Sequence, residues 1–119
     1  MKIAYTVLDR VFAQYIRLRD QSCRVCGRAD RRLEAAHIIS RKIRAVRYDP
    51  ENVYLMCGGP SPTVCHRYMD THETEKQAWW CAQIGEARAA LVRFRATTGK
   101  KPDTALLLLT YRRLIKELS

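Results

Sequence analysis

Apolar side chains at Ala4, Val7, Leu8, Val11, Phe12, Tyr15 and Ile16 recur at the three-and-four spacing of one helical face, which predicts a first helix over about residues 3–19. Residues 33–39 read as a strand. Residues 53–56, short and β-prone, read as its partner, and the two make a hairpin with a long connection. Within that connection, residues 41–48 read as a loop that ends in the turn signal Asp49, Pro50, Glu51, Asn52. Ser61 and Pro62 have the character of a helix entry, a capping serine followed by proline at the first helical position, so the next helix carries Cys65, His66 and Asp70. The order is then strand, strand, helix. Residues 73–98 are helical in character, with Trp79, Trp80, Ala87, Leu91 and Phe94 apolar, Gly85 a break and Gly99 a stop. A last helix over about 103–118 keeps Leu107, Leu108, Tyr111, Leu114, Ile115 and Leu118 on one face and Arg112, Arg113 and Lys116 in water. The predicted fold is α+β and mostly helical, its terminal helices packed around the hairpin and the helix that follows it.

Composition narrows the class. With 119 residues and 47% hydrophobic positions the chain suits one domain over 1–119, since two would each be too small to stand without help. Aromatic and aliphatic residues are plentiful and no low-complexity tract interrupts them, which excludes a disordered chain. The longest apolar run, residues 105–109, falls far short of the roughly 20 residues needed to span a bilayer, so no membrane partner is expected. The first residues lack the apolar core and cleavage site of a secretory signal, and the expectation is a cytoplasmic protein. Twenty-two Lys and Arg against 12 Asp and Glu give a net charge of +10, which favours salt-sensitive binding of nucleic acid.

In a reducing compartment five cysteines make a poor disulfide framework, and their spacing points to metal instead. Cys23 and Cys26, two residues apart and followed by Gly27, form a knuckle that lets two sulfurs face one ion. Cys57 and Cys65 supply a second, wider pair. Four thiolates suit a tetrahedral structural Zn2+, the competing reading being that some are simply buried thiols. Cys81, among tryptophans, reads as core. A second constellation is His37, Asn52, His66 and Asp70. His66 and Asp70, four apart on a helix, share a face and could offer an imidazole and a carboxylate to one divalent cation. His37, at the start of the basic loop, could act as a general base on water, and the Asn52 amide could fix a neighbouring group. Arg41, Lys42, Arg44 and Arg47 form a basic run between the two strands, read as a contact surface for phosphates or else as a solvated loop.

These motifs together resemble the HNH endonucleases, particularly small phage and bacterial forms. The likeness covers about residues 23–80 and rests on Cys23-Arg24-Val25-Cys26-Gly27, Ala36-His37-Ile38-Ile39-Ser40-Arg41, Arg47-Tyr48-Asp49-Pro50-Glu51-Asn52-Val53, and Cys57 followed by Cys65-His66-Arg67-Tyr68-Met69-Asp70. The resemblance implies a ββα-metal nuclease unit, with His37 activating water, Asn52 positioning the histidine-bearing loop, His66 binding the catalytic cation and the four cysteines holding zinc. Three features depart from the family pattern. Ala36 stands where many members have an acid or a second histidine, Asp70 stands where related phage members often have histidine, and the gap between Cys57 and Cys65 is long. Asp70 shifts the preferred cation toward Mg2+ or Mn2+. His72, six residues beyond His66, would face another way on one continuous helix and ranks below Asp70 as a ligand.

The reading that follows is a metal-dependent endonuclease acting on DNA, with little sequence readout, as a monomer or homodimer in a bacterial or phage-infected cell. The alternative is a zinc-stapled DNA-binding or recombination accessory module whose nuclease centre has decayed, which Ala36 would explain. A zinc-stabilised helical protein that binds another protein is a third. It leaves the combination of His37, Asn52 and His66 without a purpose.

Overall fold

The computed structural model describes residues 5–119. Among them are five α-helices and a two-stranded antiparallel sheet: α1 (Val7–Asp20), β1 (Leu33–His37), a single 3-10 turn (Arg44–Val46), β2 (Val53–Cys57), α2 (Cys65–Thr71), α3 (Glu73–Ile84), α4 (Glu86–Thr98) and α5 (Thr104–Leu118). The class is α+β, as the hydrophobic pattern predicts. No helix among these residues is long and apolar enough to cross a membrane. The predicted start of the first helix at residue 3 lies outside the described residues. Thr6 caps α1 in a reciprocal box: its hydroxyl accepts the Asp9 amide at 3.2 Å and Asp9 Oδ2 accepts the Thr6 amide at 2.6 Å.

β2 decides how the layers assemble. All five of its residues are buried, and the period of two divides the first four between two cores. Val53 and Leu55 pack with Leu8, Phe12, Ile16 and Tyr111 of α1 and α5. Tyr54 and Met56 pack with Ala36, Met69 and Trp80 of β1, α2 and α3. The hairpin is therefore a middle layer, with α1 and α5 on one face and α2, α3 and α4 on the other. Polar groups tie the layers together where burial would strand them. Arg19, near the end of α1, donates to the carbonyls of Pro50 and Val53 at 2.7 Å each, while Trp80 Nε1 and Tyr54 Oη both donate to the Glu51 carbonyl. Gly85 separates α3 from α4 at φ 87°, a conformation side-chain-bearing residues rarely adopt, so the long helical stretch breaks where the glycine falls.

Three sequence expectations shift. β1 ends at His37 rather than residue 39, because Ile39 N donates to the Asn52 side chain at 2.8 Å instead of to a strand neighbour. The basic loop contains the 3-10 turn. Ser61 does not cap α2: its hydroxyl accepts from the Thr63 amide, Val64 is the residue that leads into the helix, and the first helical amide, of Cys65, is taken by Cys57 Sγ at 3.3 Å.

Arg47 is the largest change of role. The sequence places it in a phosphate-binding run, but it is 7% exposed and its guanidinium forms a two-pronged ion pair with the buried Asp9 of α1, Nε to Oδ1 at 2.9 Å and Nη2 to Oδ2 at 2.5 Å. A guanidinium so placed fastens the loop to α1 and is withheld from solvent. Burial alone would raise the Asp9 carboxyl, but the hydrogen bond from Arg47 and those from Thr6 outweigh it and hold the group below its ordinary value. Because the folded value is the lower one, this stabilisation is complete above about pH 4 and fades as pH falls through the folded value. Asp9→Ala, which strands the buried guanidinium, is expected to cost about 3–5 kcal/mol in urea unfolding at neutral pH. A loss under 1 kcal/mol would show that the pair is not closed in solution.

Candidate functional site

Two centres flank the hairpin. The first is built from thiols. The knuckle after α1 turns over residues 24–26, closed by the Gly27 N–H donating to the Cys23 carbonyl at 2.8 Å, which brings Cys26 back toward Cys23, while Cys57 closes β2 and Cys65 opens α2. The four Sγ atoms lie within 4.8 Å of one another, with Cys26 and Cys57 3.9 Å apart. A tetrahedron with metal–sulfur bonds of about 2.3 Å has edges of about 3.8 Å, so small side-chain rotations would close the set around an ion. The four cysteines could hold a metal ion. Cys26 N and Cys65 N point at Cys23 Sγ and Cys57 Sγ, the placement that favours thiolates. Burial opposes ionisation of Cys23, yet backbone amides of Cys26, Cys57 and Val25 prevail and bring it down to about 7. Burial and then the neighbouring thiols push Cys65 up. Four thiolates this close would repel one another, and a bound cation would relieve that repulsion. Cys81 stays outside the cluster, half-buried against the core, with its sulfur 3.6 Å from an Arg93 nitrogen.

The second centre is a cleft of about 610 Å3 along the outer edge of β1. Because β1 pairs only with β2 among the described residues, its free edge lets the cleft draw groups from both faces of the strand. His37, His66, Asp70 and Arg41 all line it. His37 Nε2 donates to the Arg47 carbonyl at 2.8 Å. A carbonyl can only accept, so the ring proton sits on Nε2 and Nδ1 carries the lone pair. Burial, with a further contribution from Arg41, holds the His37 imidazole below its ordinary value despite that hydrogen bond, which keeps it neutral and basic at Nδ1.

Asn52 has no exposed surface and spends its amide on the loop that bears His37: Oδ1 accepts from Ile39 N at 2.8 Å, and Nδ2 donates to the Ile39 and Val46 carbonyls at 3.0 Å each. One side chain thus holds both ends of the basic loop, and through Val46 the neighbouring Arg47 carbonyl that grips His37. His66, in the first turn of α2, stands between two carboxylates, Glu34 Oε1 2.9 Å from Nδ1 and Asp70 Oδ2 3.3 Å from Nε2. His72 lies beyond the end of α2, stacked on the exposed Tyr68 ring, and is not part of the cleft wall.

The predicted basic surface is reorganised. Of the four cations named from sequence only Arg41 lines the cleft. Lys42 and Arg44 are exposed away from its lining, and Arg47 is buried in its pair with Asp9. Three others join Arg41: Arg17 from α1, Arg32 from the start of β1 and Lys76 from α3, the last buried with Nζ 2.9 Å from Glu73 Oε2. Glu34 is likewise a site residue that sequence reasoning passes over. It has no motif of its own, and its one signal is its place three residues before His37, on the same strand face as Ala36. Ala36 itself is buried in the core at 2% exposure and offers the cleft no ligand.

Comparison with protein-family models, curated proteins and solved structures gives no match.

Proposed function

We propose that the protein is a metal-dependent endonuclease of the HNH kind, its hairpin and α2 forming the ββα unit and the four cysteines holding a structural Zn2+. The observation that carries this reading is the cleft along β1, where a histidine whose Nε2–H donates to a backbone carbonyl faces the same space as a His–Asp pair and the basic side chains Arg17, Arg32 and Arg41. His66 Nε2 and Asp70 would hold the catalytic Mg2+ or Mn2+, which when bound supplies positive charge to a phosphodiester.

This chain's own groups do the rest. His37 Nδ1 takes a proton from the attacking water, and the Arg47 carbonyl steadies the imidazolium that results by accepting its Nε2 proton more strongly. Asn52 keeps that carbonyl and the loop in register, so the base does not drift from the phosphate. Arg17, Arg32 and Arg41 bind backbone phosphates, which explains DNA affinity without sequence readout, while Lys76, buried against Glu73, adds positive charge to the cleft wall. Four cysteines given to zinc rather than to disulfides suit a reducing, cytoplasmic setting.

The decayed-module reading rests on Ala36, and the two are separated by the pH dependence of nicking. If His37 is the base, kcat/KM for plasmid nicking falls on the acid side with a midpoint below about 6.5, the ordinary imidazole value, since burial favours the neutral ring. Absence of any nicking across pH 5–9 with Mg2+ or Mn2+, alongside tight salt-sensitive DNA binding, would favour the accessory module.

A further inference from the structure

Glu34 is a half-buried carboxylate with no role in the chemistry described above, and its surroundings are unusually specific. Its Oε1 accepts from His66 Nδ1 at 2.9 Å, and its Oε2 is 3.0 Å from Arg32 Nη2. Both oxygens are therefore occupied. The opposite ring nitrogen, Nε2, is 3.3 Å from Asp70, whose side chain is 52% exposed and open to the cleft. Gly58, just past β2, has an ordinary φ, so its lack of a side chain is not a matter of backbone conformation. A Cβ there would fall 1.9 Å from Glu34 Oε1 and 2.2 Å from its carboxyl carbon. The glycine leaves the space that the carboxylate fills.

We propose that Glu34 is the positioning residue of the cation site, holding the His66 proton on Nδ1 so that Nε2 is the ligating atom beside Asp70, and that Gly58 is glycine to admit it. This rests on the reading of His66 and Asp70 as cation ligands. A neutral imidazole left to itself favours the proton on Nε2, the form that would turn an N–H toward Asp70 and offer a cation nothing. A carboxylate at Nδ1 reverses the preference and makes the ligating nitrogen a better donor. The same carboxylate reaches His66 from β1, two residues before Ala36. It acts through the histidine, from behind it.

The test needs no catalysis. The chain has three histidines, so ring 15N–1H spectra resolve His66 in zinc-loaded protein with no other divalent ion added. At pH 8 the wild type should carry its proton on Nδ1. Glu34→Gln, which keeps an acceptor, should preserve that form, while Glu34→Ala and Gly58→Ala should shift it to Nε2. Because the Gly58 clash is with the end of a flexible side chain, Gly58→Ala should fold and melt close to the wild type. Mn2+ affinity, read by electron paramagnetic resonance of the free ion, should weaken about 10–100-fold in Glu34→Ala and Gly58→Ala and less in Glu34→Gln. Unchanged tautomer and unchanged Mn2+ affinity in Glu34→Ala would overturn the proposal even if the wild type cuts DNA. A wild type that binds Mn2+ with the expected tautomer yet cuts nothing would leave Glu34 in place and remove the nuclease reading. A wild type that binds no Mn2+ would overturn both.

Discussion

Replacing His37 by alanine is expected to lower the single-turnover rate of DNA cleavage by about 100- to 10,000-fold, the contribution a positioned general base makes to proton transfer. The size of the loss follows from the geometry. The basic nitrogen of His37 is defined by a fixed hydrogen bond, and nothing adjacent can take over: Asp9 is committed to Arg47, Glu34 to His66 and Arg32, and His66 is assigned to the cation. DNA binding should change little, because the phosphate contacts assigned to Arg17, Arg32 and Arg41 are untouched. Stability should fall by only about 1–2 kcal/mol, the cost of leaving one carbonyl without its partner. A labelled oligonucleotide duplex read for both cleavage rate and anisotropy separates the two effects. Equal losses of rate and affinity would mean that His37 binds substrate and does not activate water.

Removing zinc is expected to cost the protein most of its cooperative fold. Structural zinc is bound with about 10–16 kcal/mol, as much as the whole stability of a typical domain. Here the ion would join the knuckle at Cys23 and Cys26 to the end of β2 and the start of α2, three segments far apart in sequence. One zinc per chain is expected by elemental analysis. A tight chelator should lower the melting temperature by more than about 10 °C or abolish a single transition, and Cys57→Ser should prevent zinc retention. Damage should begin at the α2 side, since the core between α1, α5 and the Val53 face of β2 draws no residue from the cluster. Chains that purify without metal and melt unchanged in chelator would show that the four thiols are merely buried neighbours.

What the sequence made legible was periodic or closely spaced. The three-and-four pattern marked α1 and α5, the glycines marked the knuckle and the break before α4, and the paired cysteines marked one centre before any coordinates. His37, Asn52, His66 and Asp70 were legible as a set, and the fold brings the three besides Asn52 to one cleft while Asn52 braces the loop behind it. Pairings with no spacing signature stayed hidden. Arg47 meets Asp9 across 38 residues, so a run of basic residues looked like one surface when one member was a bolt into α1. Arg17 and Lys76 enter the cleft from helices whose own patterns speak only of packing. Glu34 was invisible for a different reason: its partner is 32 residues away and the space it needs is recorded at Gly58, in a glycine pair that reads from sequence as a turn. Continuous burial of β2 is likewise a tertiary fact, since a strand covered on both faces shows no alternation of polar and apolar residues.

The most direct test of the central claim is conversion of supercoiled plasmid by the purified, zinc-loaded chain in Mg2+ or Mn2+, with EDTA and His37→Ala reactions beside it. Nicking that requires the added cation and disappears in the variant is expected. Nicking that persists undiminished in His37→Ala, or its complete absence from the wild type with either cation, would contradict the central claim.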